Sequence, residues 1–228
     1  AQKEILKIFG IELDAGTDAE DMDVFGADKA DAALLAISIL LQGDRFESEL
    51  TALLTEISNA IVENGVWKGN RADSVKAEMA DWAFAQDLPG IRRNVESWGL
   101  NKGGAIGNFE QYVENFIARE LFGMNACGED DGKDHEVANK LSAFYGKTYH
   151  CHGGMLVTES ENAHFNKDVE YGELVDWRTR QVYRTLKIGG QEWMAENLNY
   201  EYKIDPTGRH KYESYGNYCY SDSCNTFG

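Results

Sequence analysis

The feature that most constrains this chain is a change of hydrophobic period near residue 123. Up to that point apolar residues recur at helical spacing between glycine stops. Beyond it the apolar runs shorten, and aromatic and β-branched residues crowd around glycine pairs. The chain therefore reads as α+β, with an all-helical bundle followed by β-rich parts.

Within the bundle the punctuation is clean. Ile5, Leu6, Ile8 and Phe9 run at helical spacing from the start. Asp28 to Gln42 is apolar nearly all round (Ala32, Ala33, Leu34, Leu35, Ile37, Ile39, Leu40, Leu41), as suits a central helix, and Gly43 closes it. Asp44 with Glu47 three residues on is read as the cap of the next helix. Its stripe, Leu50, Leu53, Leu54, Ile57 and Ile61, ends at Gly65. Ala72 to Gln86 turns Val75, Met79, Trp82 and Ala83 inward. Pro89 opens a short helix with Ile91, Val95 and Trp98 on one side, stopped by Gly99. Asn108 and Gln111 cap a last helix carrying Phe109, Tyr112, Val113, Phe116, Ile117 and Leu121, ended by Gly123. Both Trp82 and Trp98 are expected in the core.

Residues 144–158, FYGKTYHCHGGMLVT, read as two short strands joined by a tight turn at His152-Gly153-Gly154. The polar, aperiodic ESENAHFNKDVE that follows reads as a linker. VYRTLKIGGQEWMAENLNY then gives a strand through Ile188, a Gly189-Gly190 turn and a second extended segment through Trp193. The expected organisation is a helical bundle over 1–125, a Cys-stapled hairpin unit over 126–158, a linker over 159–171 and a β-rich domain over 172–228. The chain opens inside a helical pattern and stops just past a cysteine, so it is read as a fragment whose last domain is incomplete.

HCHGG, residues 150–154, raises the question of chemistry. Three readings compete: a metal site built from His150, Cys151, His152 and Cys127, a catalytic thiolate, or a disulfide. Alternation along a strand sets His150 and His152 on one face and Cys151 on the other, so three consecutive ligands need a distorted backbone. No basic cluster surrounds Cys151 to lower its pKa. The four cysteines contain no CxxC pair. The favoured reading is two local disulfides, Cys127 to Cys151 and Cys219 to Cys224, with no metal, no cofactor and no catalytic residue assigned. The first closes a loop of about 25 residues, worth on the order of 3 kcal/mol. Disulfides imply an oxidising compartment.

Charge removes other classes. With 39 acidic against 22 basic residues the formal net charge is −17, which opposes binding to nucleic acid or anionic membranes. No apolar run reaches the roughly 18 to 20 residues of a membrane span. DAGTDAEDMDVFGADKAD, 14–31, fails as a helix-loop-helix calcium loop, since Phe25 and Ala32 fall on ligand positions; it reads as a solvated acidic loop with helix caps. Weak candidates for a binding face are Trp177 and Trp193 and the tyrosines Tyr202, Tyr215, Tyr218 and Tyr220, which alternate with polar residues.

GELVDWRTRQVYRTLKIGGQEWMAENLNYEY resembles the opening of the Fibrobacter succinogenes major paralogous domain, with a pattern like D-x-R-x-G-x-x-Y-x-T-x-x-I-G-x-Q-x-W-M-A-E-N-L-x-Y. Asp176, Arg178, Tyr183, Thr185, Ile188, Gly189, Gln191, Trp193, Met194, Ala195, Glu196, Asn197, Leu198 and Tyr200 match, while Arg180 stands where the pattern has its turn glycine. CYSDSCNTFG is similar to that family's short Cys-bounded loop. ALLAISILLQGD, MADWA, IRRNVESWGL and NFEQYVENF resemble the helical region often found upstream. The 127–151 segment resembles small Cys-containing hairpin units, with Leu156 where those commonly have Trp. The resemblance implies a C-type-lectin-like C-terminal domain. It also implies a secreted or outer-membrane-anchored lipoprotein-type surface protein of a fibre-dwelling bacterium. Adhesion to plant cell-wall polysaccharide, or binding to another surface protein, is the expected role. The alternative is part of an enzyme whose lectin-fold domain, resembling the formylglycine-generating type, keeps its site outside this sequence.

Overall fold

A computed structural model of the chain describes residues 2–14, 17–101, 104–128, 133–159 and 165–198. Among them are six α-helices, one short 3-10 turn and six strands, so the fold is α+β. They cluster into two compact units, Ala1–Thr158 and Glu159–Gly228.

The first unit is built on three helices that pack on one another: α2 (Lys29–Gln42), α4 (Asn70–Phe84) and α6 (Phe109–Phe122). Their inward residues are those the helical stripes single out. Ala33, Leu40, Met79, Ala83, Phe109, Val113, Phe116, Ile117 and Leu121 are fully buried. The starts follow from local hydrogen bonding. Asp28 Oδ1 accepts from the Ala30 and Asp31 amides, and Asp31 Oδ2 accepts in return from the Asp28 amide. Asn108 caps α6 by accepting from the Gln111 amide. At the far ends Gly43, Gly65 and Gly123 take positive φ. Helix α1 (Gln2–Ile8) leads into Phe9, whose ring lies 5.7 Å from that of Phe116.

Two sequence expectations need correction here. Helix α3 (Glu47–Asn64) is capped at Phe46, not at Asp44. The Glu49 carboxylate accepts from the Phe46 amide, while Gln42 Nε2 donates to the Arg45 carbonyl and ties the intervening link to the end of α2. Its expected five-residue stripe buries only Leu53 and Ile57, and Leu54 is 46 % exposed. Trp98 is the second correction. It lies just past α5 (Leu88–Ser97), 57 % exposed, with its ring edge-on to Phe25 at 6.1 Å instead of in the core. The stripe of α5 reaches the core only through Leu88 and Val95. Arg92 fixes this corner. Its guanidinium makes a fork of two 2.6 Å bonds to Glu110 and donates to the carbonyls of Ile106 and Gly107.

The hairpin shares the bundle's core. Strands β1 (Asp134–Glu136), β2 (Thr148–His152) and β3 (Met155–Glu159) form an antiparallel ladder with β2 in the middle. His152 pairs with Met155 across Gly153 and Gly154, both at positive φ, as a two-residue hairpin turn of the I′ kind requires. Tyr149, on the buried face, sets its ring edge-on to Phe84 at 4.9 Å and to Phe122 at 5.9 Å; Phe144 meets Phe84 at 5.1 Å. The Leu121 carbonyl accepts from the Ala138 and Asn139 amides, and so seals the end of α6 with the chain that leads into the hairpin.

Asp81 ties α4 to the same segment, accepting from Ser142 Oγ and, at 2.7 Å, from the Ala143 amide. Burial raises its pKa and outweighs these two bonds, which act the other way. A carboxyl whose folded pKa is raised contributes stability below its unfolded pKa and loses it as pH rises through the folded value. Asp81→Asn keeps an acceptor for Ala143 and gains a donor for Ser142, without the charge. Denaturant melts from acid to neutral pH should show the variant gaining on the wild type as pH rises. A constant difference across that range would remove Asp81 from the pH response.

The second unit is described as far as Leu198. Strands β4 (Gly172–Asp176), β5 (Gln181–Ile188) and β6 (Gln191–Met194) are antiparallel with β5 central. Gly189 and Gly190, both at positive φ, make the second two-residue turn, between Ile188 and its partner Gln191. The β4–β5 turn is longer, and Arg180 within it has φ +62. The residue that stands in place of the pattern's glycine therefore adopts the glycine conformation. Asp176 organises this turn by accepting from the Arg178 amide and side chain.

Candidate functional site

The disulfide settles the competition at HCHGG. Cys127 and Cys151 are bonded, with their Cα atoms 5.6 Å apart, so neither sulfur serves as thiolate or metal ligand. His150 and His152 are half-buried on the opposite face from Tyr149 and Cys151. No group of three or more His, Cys, Asp or Glu side chains among the described residues is arranged to hold a metal ion. The proposed partners Cys219 and Cys224 lie outside the described residues, as do Tyr202, Tyr215, Tyr218 and Tyr220.

Of the aromatic binding candidates, Trp177 and Trp193 are described, and the fold does not bring them together. Trp177 sits half-buried in the β4–β5 turn, where the Arg180 guanidinium lies 5.3 Å from its ring centroid. Trp193 is opposite Leu186 near the other end of β5. Asp176, beside Trp177, is opposite Gln181. The spacing along β5 from Gln181 to Leu186 is about 17 Å at the usual rise per residue. One small ligand does not span both rings.

Trp193 has company of its own. Cross-strand pairs and strand alternation put Trp193, Leu186 and Ile188 on one face of the β5–β6 hairpin. Trp193 is 56 % and Ile188 58 % exposed, with Met194 and Leu198 also presented to solvent. Hydrogen bonds within the same motif hold its strands together. Glu196 Oε2 accepts from the Arg184 amide, the Ala195 amide donates to the Arg184 carbonyl, and Thr185 Oγ1 donates to Glu192. One face of this hairpin thus presents an exposed aromatic and an exposed aliphatic side chain beside the half-buried Leu186. No family model, no curated protein and no solved structure matches the chain.

A second surface went unread in the sequence. Six carboxylates, Glu12, Asp14, Asp18, Asp21, Asp28 and Asp31, and a single cation, Lys29, line a cleft of about 560 Å³ in the first unit. Tyr112 of α6 faces the same charges: burial, then Asp14 and Asp28, raise its phenol pKa. The acidic loop was legible as charge, but the cleft needs the 12–22 stretch to fold back against the start of α2, which loop composition does not encode. Among the described residues no helix is long and apolar enough to cross a membrane.

Proposed function

We propose that this chain is a non-catalytic binding module of a secreted or outer-membrane-anchored bacterial surface protein. On this reading the β5–β6 face holds plant cell-wall polysaccharide or another surface protein. The observation that carries it is the exposed Trp193 beside Leu186 and Ile188 on one face of the β5–β6 hairpin. An aromatic on a flat sheet face offers a stacking platform of low conformational cost, suited to the apolar face of a sugar ring. The Cys127–Cys151 bond supports an oxidising location. The resemblance of 172–200 to the Fibrobacter succinogenes major paralogous domain, with its lectin-like expectation, supports the surface role.

The test is depletion of the chain from solution by insoluble cellulose, xylan and chitin. Depletion by one polymer is expected, with Trp193→Ala weakening it about tenfold. Trp193 is exposed, so its replacement leaves the fold intact as a control. No depletion by any polymer, or depletion indifferent to Trp193→Ala, overturns the polysaccharide reading.

A further inference from the structure

The first unit carries a surface that the polysaccharide reading does not use. Its apolar part is the Phe25–Trp98 pair with Leu100; Trp98 and Leu100 are 57 % and 56 % exposed. Its polar part is the acidic cleft. One loop joins them, because Met22 and Asp28 line the cleft while Phe25, three residues from each, meets Trp98. Three residues reach at most about 10 Å, so the apolar pair lies within that distance of the cleft's Met22 and Asp28 backbone.

The loop is held in place. Asp31 Oδ1 accepts from the Asp23 amide at 2.8 Å, and the Gly107 amide donates to the Gly26 carbonyl at 2.9 Å. Several carboxylates elsewhere in the unit are matched with cations: Glu78 with Arg45, Asp87 with Arg93, Glu110 with Arg92 and Glu120 with Lys76. Among the described residues Glu12, Asp14, Asp18 and Asp21 have no Lys or Arg within salt-bridge distance. Nor do they converge as ligands of one ion. Carboxylates spread along a cleft suit cations that are themselves spaced along a chain.

We propose that this patch docks a basic, amphipathic peptide segment of a partner protein. An apolar side chain of the segment rests on Trp98 and Phe25, and its lysines or arginines lie along the cleft. Charge complementarity selects the occupant: the same carboxylates repel acidic segments, nucleic acid and anionic lipid. The proposal concerns the first unit alone and stands or falls apart from the polysaccharide reading.

The probe is a short amphipathic helix-forming peptide of lysine and leucine, titrated calorimetrically into the full chain at low and at physiological salt, beside a counterpart with glutamate for lysine. Binding is expected for the lysine peptide and none for the glutamate one. Trp98→Ala should weaken binding about tenfold at unchanged charge. Asp14→Asn with Asp21→Asn should weaken it by a similar factor and flatten the salt dependence. Glu47→Gln with Glu63→Gln on α3, the same loss of charge, should leave it unchanged. All these positions are exposed, and matching circular dichroism checks the folds. Absence of binding, indifference to Trp98→Ala, or equal loss in the α3 control, which marks diffuse attraction to an acidic chain, overturns the proposal.

Discussion

Phe84→Ala is expected to destabilise the first unit by about 3–5 kcal/mol, the range for deleting a fully buried aromatic side chain. Phe84 is 1 % exposed and touches three other rings, those of Phe122, Phe144 and Tyr149. Its removal opens a cavity and strips ring contacts from α6, from the 139–147 segment and from β2 together. Urea unfolding followed by helical circular dichroism reads the change, since the described helices all belong to this unit. Phe84→Leu, which keeps most of the volume, should cost about 1 kcal/mol. If alanine costs no more than leucine, the ring cluster is not what joins hairpin to bundle.

The second large effect comes from the staple. Cys127→Ser with Cys151→Ser removes a bond that links residues 24 apart in sequence, and the expected loss is about 3 kcal/mol, chiefly through a less constrained unfolded chain. Both sulfurs are buried, so the wild type should resist mild reductant while folded and lose the bond once unfolded. Unfolding with and without reductant separates the two situations. The serine pair should match the reduced wild type within a few tenths of a kcal/mol. A serine variant as stable as the oxidised wild type would leave the Tyr149 contacts as sufficient fastening. Cys151 stands two residues from Tyr149 on the same strand face, so losses in the Phe84 and cysteine variants should couple instead of adding.

Much of this architecture was legible in the sequence because it rests on local rules. The ends of α2, α3 and α6 were marked by Gly43, Gly65 and Gly123, and both two-residue turns by their glycine pairs, since positive φ leaves few other choices. The Cys127–Cys151 pairing followed from proximity in sequence, while strand alternation spoke against the competing metal site. What was missed depends on neighbours. Asp44 and Glu47 satisfy the pattern of a capping box, but the end of α2 claims the residues between, and the helix starts at Glu47 with only the returning Glu49 bond. Such a half-box needs no polar residue at Phe46, so no pattern of residue types marks it. Trp98 keeps the helical period, yet period shows which way a side chain points and not what stands there; a loop stands there instead of a helix. On the binding side, Trp177 and Trp193 were picked out as residues, whereas their separation required the register of β5. The acidic cleft lay furthest from view, because it forms only where the 12–22 stretch folds back against the start of α2.

Two of the six carboxylates in that cleft are not interchangeable with the rest. Asp28 and Asp31 hold each other's amides at the start of α2, and Asp31 also grips Asp23. A lineage drifting toward neutrality can shed Asp14 or Asp21 at little structural cost, but shedding Asp28 or Asp31 unpicks the beginning of the central helix. Part of the negative wall is thus inherited with the fold itself. A cationic partner arriving in evolution would have found that part already fixed in position, and only the outer charges open to selection.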